Sequence, residues 1–158
     1  MHIREVSTVS MKFGQSTVEI HAGSYWRRPP HLVGVKLAQE IDKPCDINLP
    51  IADYATPTVA AATLALNQCA ERLALGEVLF VGCFGGFGRT GLFLALMAKA
   101  SGEADPVGFI RSVYDKSAVE TLEQRNFVDA FPIEQVAAVW NLAAQNRAKA
   151  MSLGRPKL

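Results

Sequence analysis

A chain of 158 residues with 49% apolar and 20% charged residues is long enough to bury one sizeable core, and its composition excludes a disordered or fibrous segment. A formal net charge of +1 gives no general attraction to nucleic acid or to a membrane surface. Three cysteines in no metal-ligand spacing argue against a disulfide framework and suit a reduced, cytoplasmic thiol protein, while the start Met-His-Ile-Arg-Glu-Val lacks a signal core and no apolar run could span a bilayer.

In chain order, Ile3 to Val9 reads as a weak strand, and Ser16 to His21 alternates with Val18 and Ile20 on one face after a turn at Gly14. Residues 23–31 read as a loop, because the pair Pro29-Pro30 suits neither a helix nor a central strand. Within it Trp26 is expected to pack on the core and Arg27 and Arg28 to be solvated, although the aromatic and basic content could also mark a substrate-facing surface. His21 and His31 have no partner at ligand spacing and read as structural. Leu32 to Leu37 and Cys45 to Ile51 are further strands, with Cys45 a small buried apolar side chain. Thr56 and Pro57 predict an N-cap and first helical residue, and the helix extends to about Leu75 with Val59, Ala62, Leu66, Cys69 and Leu73 inward and Gly76 at its end. Asp53 then lies on the short loop before that helix and, taken alone, reads as an ordinary turn aspartate.

The stretch from Val78 to Gly91 carries the chemistry. Val78 to Val81 is a strand, Cys83 to Arg89 a glycine-rich loop, and Leu92 onward a helix apolar on nearly every side. Strand, loop and helix in this order aim backbone N–H groups and a helix N-terminus at one point, which makes an anion site. Gly85, Gly86 and Gly88 let the loop curl with its amides inward. Arg89 offers a planar fork to two oxygens of a tetrahedral anion, and the site's positive potential favours the nucleophilic thiolate of Cys83. Thr90 is positioned to hydrogen-bond the Cys83 sulfur. Beyond a stop at Gly102, Asp105-Pro106 opens a helix with Val107, Ile110 and Val113 inward. Thr121-x-x-Gln124 is a capping-box pattern, and Pro132 opens a last helix with Ile133, Val136, Trp140 and Ala143 on the core side. The basic tail from Arg147, mobile from about residue 148, is expected to fray.

Cys-x5-Arg-Thr-Gly, from Cys83 to Gly91, resembles the signature loop of the cysteine-dependent protein phosphatases, and Cys-Phe-Gly-Gly-Phe-Gly-Arg is closest to the dual-specificity, kinase-associated branch. Pro-Ile-Ala-Asp-x-x-Thr-Pro around Asp53 resembles the general-acid loop of that branch, at the separation from Cys83 that the branch shows. The segment Ala118 to Phe127 resembles a family stretch in which a glutamine orients hydrolytic water, so Gln124 has a functional as well as a capping reading. One departure stands out: Gly82 occupies the place of the family's usual histidine, which bears on how the loop is held. The resemblance covers roughly residues 45–128 and implies a single α/β phosphatase domain over residues 1–158, with a central, mostly parallel sheet flanked by helices.

What the resemblance implies for activity is phosphomonoester hydrolysis of a phosphorylated protein or peptide. Cys83 would be the nucleophile, Arg89 and the amides of Phe84, Gly85, Gly86, Phe87 and Gly88 the phosphate cradle, Asp53 the general acid, and Thr90 the aid to thiolate departure. Phosphotyrosine is the expected substrate, with phosphoserine and phosphothreonine open; no metal or cofactor, nucleic acid or membrane is implied. Phe84 and Phe87 stand where phosphoinositide phosphatases tend to carry lysine, which disfavours a highly charged inositol headgroup. Three other readings compete with it. Gly86 to Gly91 formally satisfies G-x-G-x-x-G, but no strand ending in an acidic residue follows as a dinucleotide fold requires. A catalytically weak or dead phosphatase serving as a phospho-residue binding module has only Gly82 in its favour, and an RNA 5′-phosphatase is disfavoured by the absence of strong basicity.

Overall fold

The structure, a computed structural model, describes residues 2–154. It is an α/β arrangement built on a five-stranded sheet in the order β1-β2-β5-β3-β4. The strands are β1 (Ser7–Phe13), β2 (Ser16–Ser24), β3 (Val33–Ala38), β4 (Ile47–Ile51) and β5 (Leu79–Cys83). Only β1 and β2 are antiparallel, joined through Gly14 at φ 64°. The β2–β5, β3–β5 and β3–β4 pairs are parallel, so the sheet is mostly parallel as expected.

Side-chain patterns follow position in the sheet. β1 and β4 alternate, with Val9, Met11 and Phe13 and then Ile47, Leu49 and Ile51 buried. β5 is central and buried at every residue, the pattern of a parallel strand covered on both faces. It ends at Cys83, so the sheet delivers the cysteine to its carboxyl edge.

The helices are α1 (Val59–Ala74), α2 (Gly88–Ala100), α3 (Pro106–Val113), α4 (Leu122–Ala130) and α5 (Glu134–Ser152). α2 packs on β5, α3, α4 and α5 at once, which explains its apolar surface: of its side chains only Lys99 escapes full burial. α1 packs on β4 and α5.

Several elements differ from the sequence reading for physical reasons. β1 starts at Ser7 rather than Ile3, because the backbone of Arg4 is already bonded to Gly85 and Ser24. β2 extends to Ser24, and a short 3-10 turn over Tyr25–Arg27 puts Tyr25 in the core and leaves Trp26 44% exposed. Arg28 is not solvated: it binds the carbonyls of Leu32 and Pro44 and the Asp46 carboxylate. The α1 cap is Thr58, whose hydroxyl accepts from Ala61 N at 3.1 Å, so Pro57 precedes the helix and Val59 is left exposed. Val113, the last residue of α3, is exposed too. Cys45 is only partly buried. α2 begins at Gly88, which places Arg89 and Thr90 in its first turn. α5 continues through Ser152, so residues 147–152 are helical where fraying was expected; the rest of the expected mobile tail, residues 155–158, lies outside the described residues.

Candidate active site

Cys83, Arg89 and Thr90 meet where β5 runs into α2. The Thr90 hydroxyl accepts from Cys83 N at 2.9 Å and donates to Cys83 Sγ at 3.1 Å. Gly86 N–H donates to the same sulfur at 3.2 Å. The sulfur thus receives two donors, one from the loop backbone and one from the first turn of α2. Gly86 has φ 92°, and a Cβ there would meet Ser24 N at 2.6 Å, so the loop can close only over a glycine.

Arg89 is 2% exposed, and its bonds define its orientation. Its two terminal nitrogens meet the two Glu40 oxygens at 2.7 Å each, and Nη1 also donates to Ile51 O at 2.7 Å. Nη2 lies 3.4 Å from Asp53 Oδ1, and among the described residues Nε has no hydrogen-bond partner. One edge of the guanidinium is thus committed to Glu40 and Ile51, while on the other Nη2 also faces Asp53 and Nε is buried and unpaired among the described residues. Burial works against the guanidinium charge, but the bond to Glu40 and the nearby Cys83 and Asp53 outweigh it and hold the proton. The same pairing with Arg89 holds the Glu40 carboxyl below its ordinary range.

Asp53 follows β4, with its side chain 54% exposed and Oδ1 accepting from Tyr54 N at 3.0 Å. Tyr54 is in the left-handed region at φ 62°. Asp53, Tyr54, Cys83, Phe84, Gly85 and Phe87 share one cavity of about 390 Å³ with Glu40, Glu120 and His2. Glu120 rests against Gly88, next to Val119 at φ 61°. Partial burial, and then repulsion from Asp53, push its carboxyl above its ordinary range. A separate hollow of about 250 Å³, lined by His21, Glu77 and Arg147 among others, contains none of these residues.

Gln124 is fully buried but is not among the residues that line the cavity. Its Oε1 accepts from Glu120 N and Thr121 N, completing the capping box of α4, and its Nε2 donates to Ala55 O at 3.2 Å. It therefore ties α4 to the loop that carries Asp53. The residues that sequence reasoning missed are Glu40, Glu120 and His2. Glu40 reaches Arg89 across 49 positions of chain, a separation with no local signature. Of the other carboxylates that folding could bring near the loop, Asp42, Asp46 and Asp115, the last two are bound to Arg28 and Arg4, and Asp42 is not among the residues that line the cavity.

Gly82 has a steric explanation. It stands opposite Gly23 in the β2–β5 register, and a Cβ on it would meet Tyr25 N at 2.8 Å, Gly23 O at 2.9 Å and Tyr25 Cα at 2.9 Å. The backbone of residues 23–25 leaves no room for a histidine.

The family model described as Swiss Army Knife protein, DSP-PTPase phosphatase domain, matches residues 35–138, more than half of the chain. The chain belongs to this family. Two uncharacterized proteins of Methanocaldococcus jannaschii are 40% and 39% identical to this phosphatase-like domain over 80 residues, in each case 51% of the chain. The chain spans about half the length of these curated relatives, 54% and 50%. Among solved structures, Tk-PTP in its active form superposes with a TM-score of 0.58 at 24% identity, covering 66% of this chain and 79% of that one. Kinase associated phosphatase with serine in place of its catalytic-site cysteine superposes with a TM-score of 0.54 at 21% identity, covering 68% and 72%. The fold is therefore that of the dual-specificity and tyrosine phosphatases. No helix among the described residues is long and apolar enough to cross a membrane.

Proposed function

We propose that this dual-specificity phosphatase-like domain hydrolyses phosphomonoesters of proteins or peptides through a phosphocysteine intermediate. The observation that carries the reading is a buried, charged Arg89, its Nε unpaired among the described residues, beside a sulfur that accepts from Gly86 N–H and the Thr90 hydroxyl. Cys83 thiolate attacks phosphorus in line and the P–O ester bond breaks. Charge on the equatorial oxygens is taken up by the amides of Phe84 to Arg89 and by the guanidinium. Asp53 gives a proton to the leaving oxygen. As carboxylate it then takes one from the water that attacks the phosphocysteine, and the P–S bond breaks to return the thiolate. Thr90, already bonded to Sγ, stabilises that departing charge. Gln124 contributes by bracing the Asp53 loop through Ala55. Walls made by Tyr54, Phe84, Phe87 and His2 suit the flat ring of phosphotyrosine.

The test is hydrolysis of a generic aryl phosphate in the presence of a chelator, comparing the wild type with Cys83→Ser. Turnover by the wild type and none by Cys83→Ser, with inorganic phosphate still bound by the variant, is the expected result. Phosphate binding with no turnover by either protein would support a binding module, and substantial residual activity in Cys83→Ser would exclude the cysteine as nucleophile.

A further inference from the structure

Three consecutive carbonyls of the loop are each held from outside it. Ser24 Oγ donates to Phe84 O, Arg4 N donates to Gly85 O at 2.8 Å, and Tyr114 Oη donates to Gly86 O at 2.7 Å. In a planar trans peptide the C=O and the following N–H point in opposite directions. Pinning the carbonyls of residues 84–86 outward therefore points the N–H groups of Gly85, Gly86 and Phe87 inward, and the Gly86 N–H bond to Cys83 Sγ fits that orientation.

Arg4 holds two of these anchors. Its Nε binds Asp115 Oδ2 at 3.0 Å, its Nη2 donates to Tyr114 O, and its Nη1 donates to Ser7 Oγ at 2.8 Å and Glu5 O at 3.1 Å. Its guanidinium lies 3.8 Å from the centre of the Tyr114 ring. Burial holds the Tyr114 hydroxyl protonated well beyond neutral pH, so it remains a donor. Residues 2–5 are thereby strapped across the loop, with His2 against Phe87 at the mouth of the cavity. Arg4 and Ser24 both lie before the stretch that the family model matches.

We propose that Arg4 and Tyr114 are positioning residues that preset the phosphate-binding conformation of the Cys83 loop, fulfilling the loop-holding role that Gly82 cannot. The proposal rests on the reading of that loop as a phosphate site. Without the clamp, the glycines at 85 and 86 are free to rotate their peptide planes, and each amide that turns away is lost to the ligand.

The experiment measures inorganic phosphate and orthovanadate affinity by titration, and aryl phosphate kinetics, for Tyr114→Phe, Arg4→Met, Arg4→Lys and the double variant Arg4→Met/Tyr114→Phe. Tyr114→Phe removes one oxygen and keeps the ring, so it carries the test alone if Arg4→Met unfolds. Anion affinity is expected to fall about tenfold in each single variant, as for loss of one to two ordinary hydrogen bonds. The double variant should fall less than the product of the two, because both act on one strap. Arg4→Lys should rescue little, since an ammonium cannot span the same acceptors. Amide exchange at Gly85 to Phe87 should rise in the same variants. Wild-type anion affinity in Tyr114→Phe, or a fall in melting temperature with affinity intact, would overturn the proposal. Wild-type phosphate binding without hydrolysis would sink the proposed activity and leave these affinities to decide the role of the strap.

Discussion

Glu40→Gln tests whether the Arg89 orientation is built by its carboxylate. In the wild type two bonds of 2.7 Å join the carboxylate to a guanidinium that is nearly inaccessible to water. Glutamine keeps one acceptor and turns the other oxygen into an NH₂ group facing an Arg89 donor. One charge-assisted bond, worth roughly 1.5–3 kcal/mol, is lost. Because the Glu40 side chain is 37% exposed, solvent screens part of this, and about 1–2 kcal/mol is the expected net cost. For a domain of this size that corresponds to a melting temperature lower by about 2–8 °C. If the same free energy is lost in the transition state, kcat/KM for an aryl phosphate falls about 5–30-fold. The pH dependence has a definite sign. The Glu40 carboxyl is held below its ordinary range when folded, so its contribution is complete at neutral pH and is lost as pH falls through the lowered value. The gap in melting temperature between wild type and variant should therefore persist through weak acid and close only below the ordinary carboxylate range. Thermal unfolding across pH, with orthovanadate affinity measured in parallel, reads both effects. A variant with wild-type melting temperature and wild-type affinity would refute the reasoning.

Asp53→Asn should slow a phosphotyrosine peptide by about 10²–10⁴-fold and a substrate with a good phenolate leaving group far less. Equal loss on both would move the acid to Glu120, which faces the same cavity. Gly82→Ala should cost about 1–3 kcal/mol in urea unfolding, because the added methyl meets backbone rather than a yielding side chain; an unchanged midpoint would mean that β2 and β5 do not approach so closely. Glu120→Gln should raise the melting temperature modestly at neutral pH, with the gain fading as pH falls through the raised Glu120 value and gone below the ordinary carboxylate range, since the raised Glu120 carboxyl destabilises the fold only when ionised. A gain independent of pH would contradict that origin.

How much of this was legible in the sequence depends on the range of the interaction. Cys83, Arg89 and Thr90 are close in sequence, so a strand, a tight loop and a helix start bring them together without help from the rest of the chain. The apolar strand and buried helix were legible for the same reason. Glu40 reads as a solvated turn residue until Arg89 arrives from another element, and Arg4 meets Asp115 across 111 positions. Gly82 looked like a missing histidine because the backbone approach of Gly23 and Tyr25 leaves no trace in composition. Thr56 before Pro57 is the cap signal on paper, and the bond from Ala61 N to the Thr58 hydroxyl moves the cap two residues on. Trp26 was expected in the core, but the 3-10 turn over Tyr25–Arg27 turns Tyr25 inward instead, and a loop carries no periodicity from which to read that choice.

Tyr54 and Val119 stand in a backbone conformation that glycine or asparagine would adopt with less strain. Each costs about 1–3 kcal/mol, against a net stability for ordinary domains of about 5–15 kcal/mol. At the exposed Tyr54 a mutation to glycine relaxes the turn with little loss of buried surface, whereas at Val119 it would also empty a place in the core. The strain is offset differently at the two places: Val119 fills the core immediately before Glu120, while Tyr54 lines the cavity beside Asp53. In a lineage released from binding at this cavity, position 54 is where the chain would be expected to relax first, and the resulting gain in melting temperature would mark that release independently of any change at the cysteine.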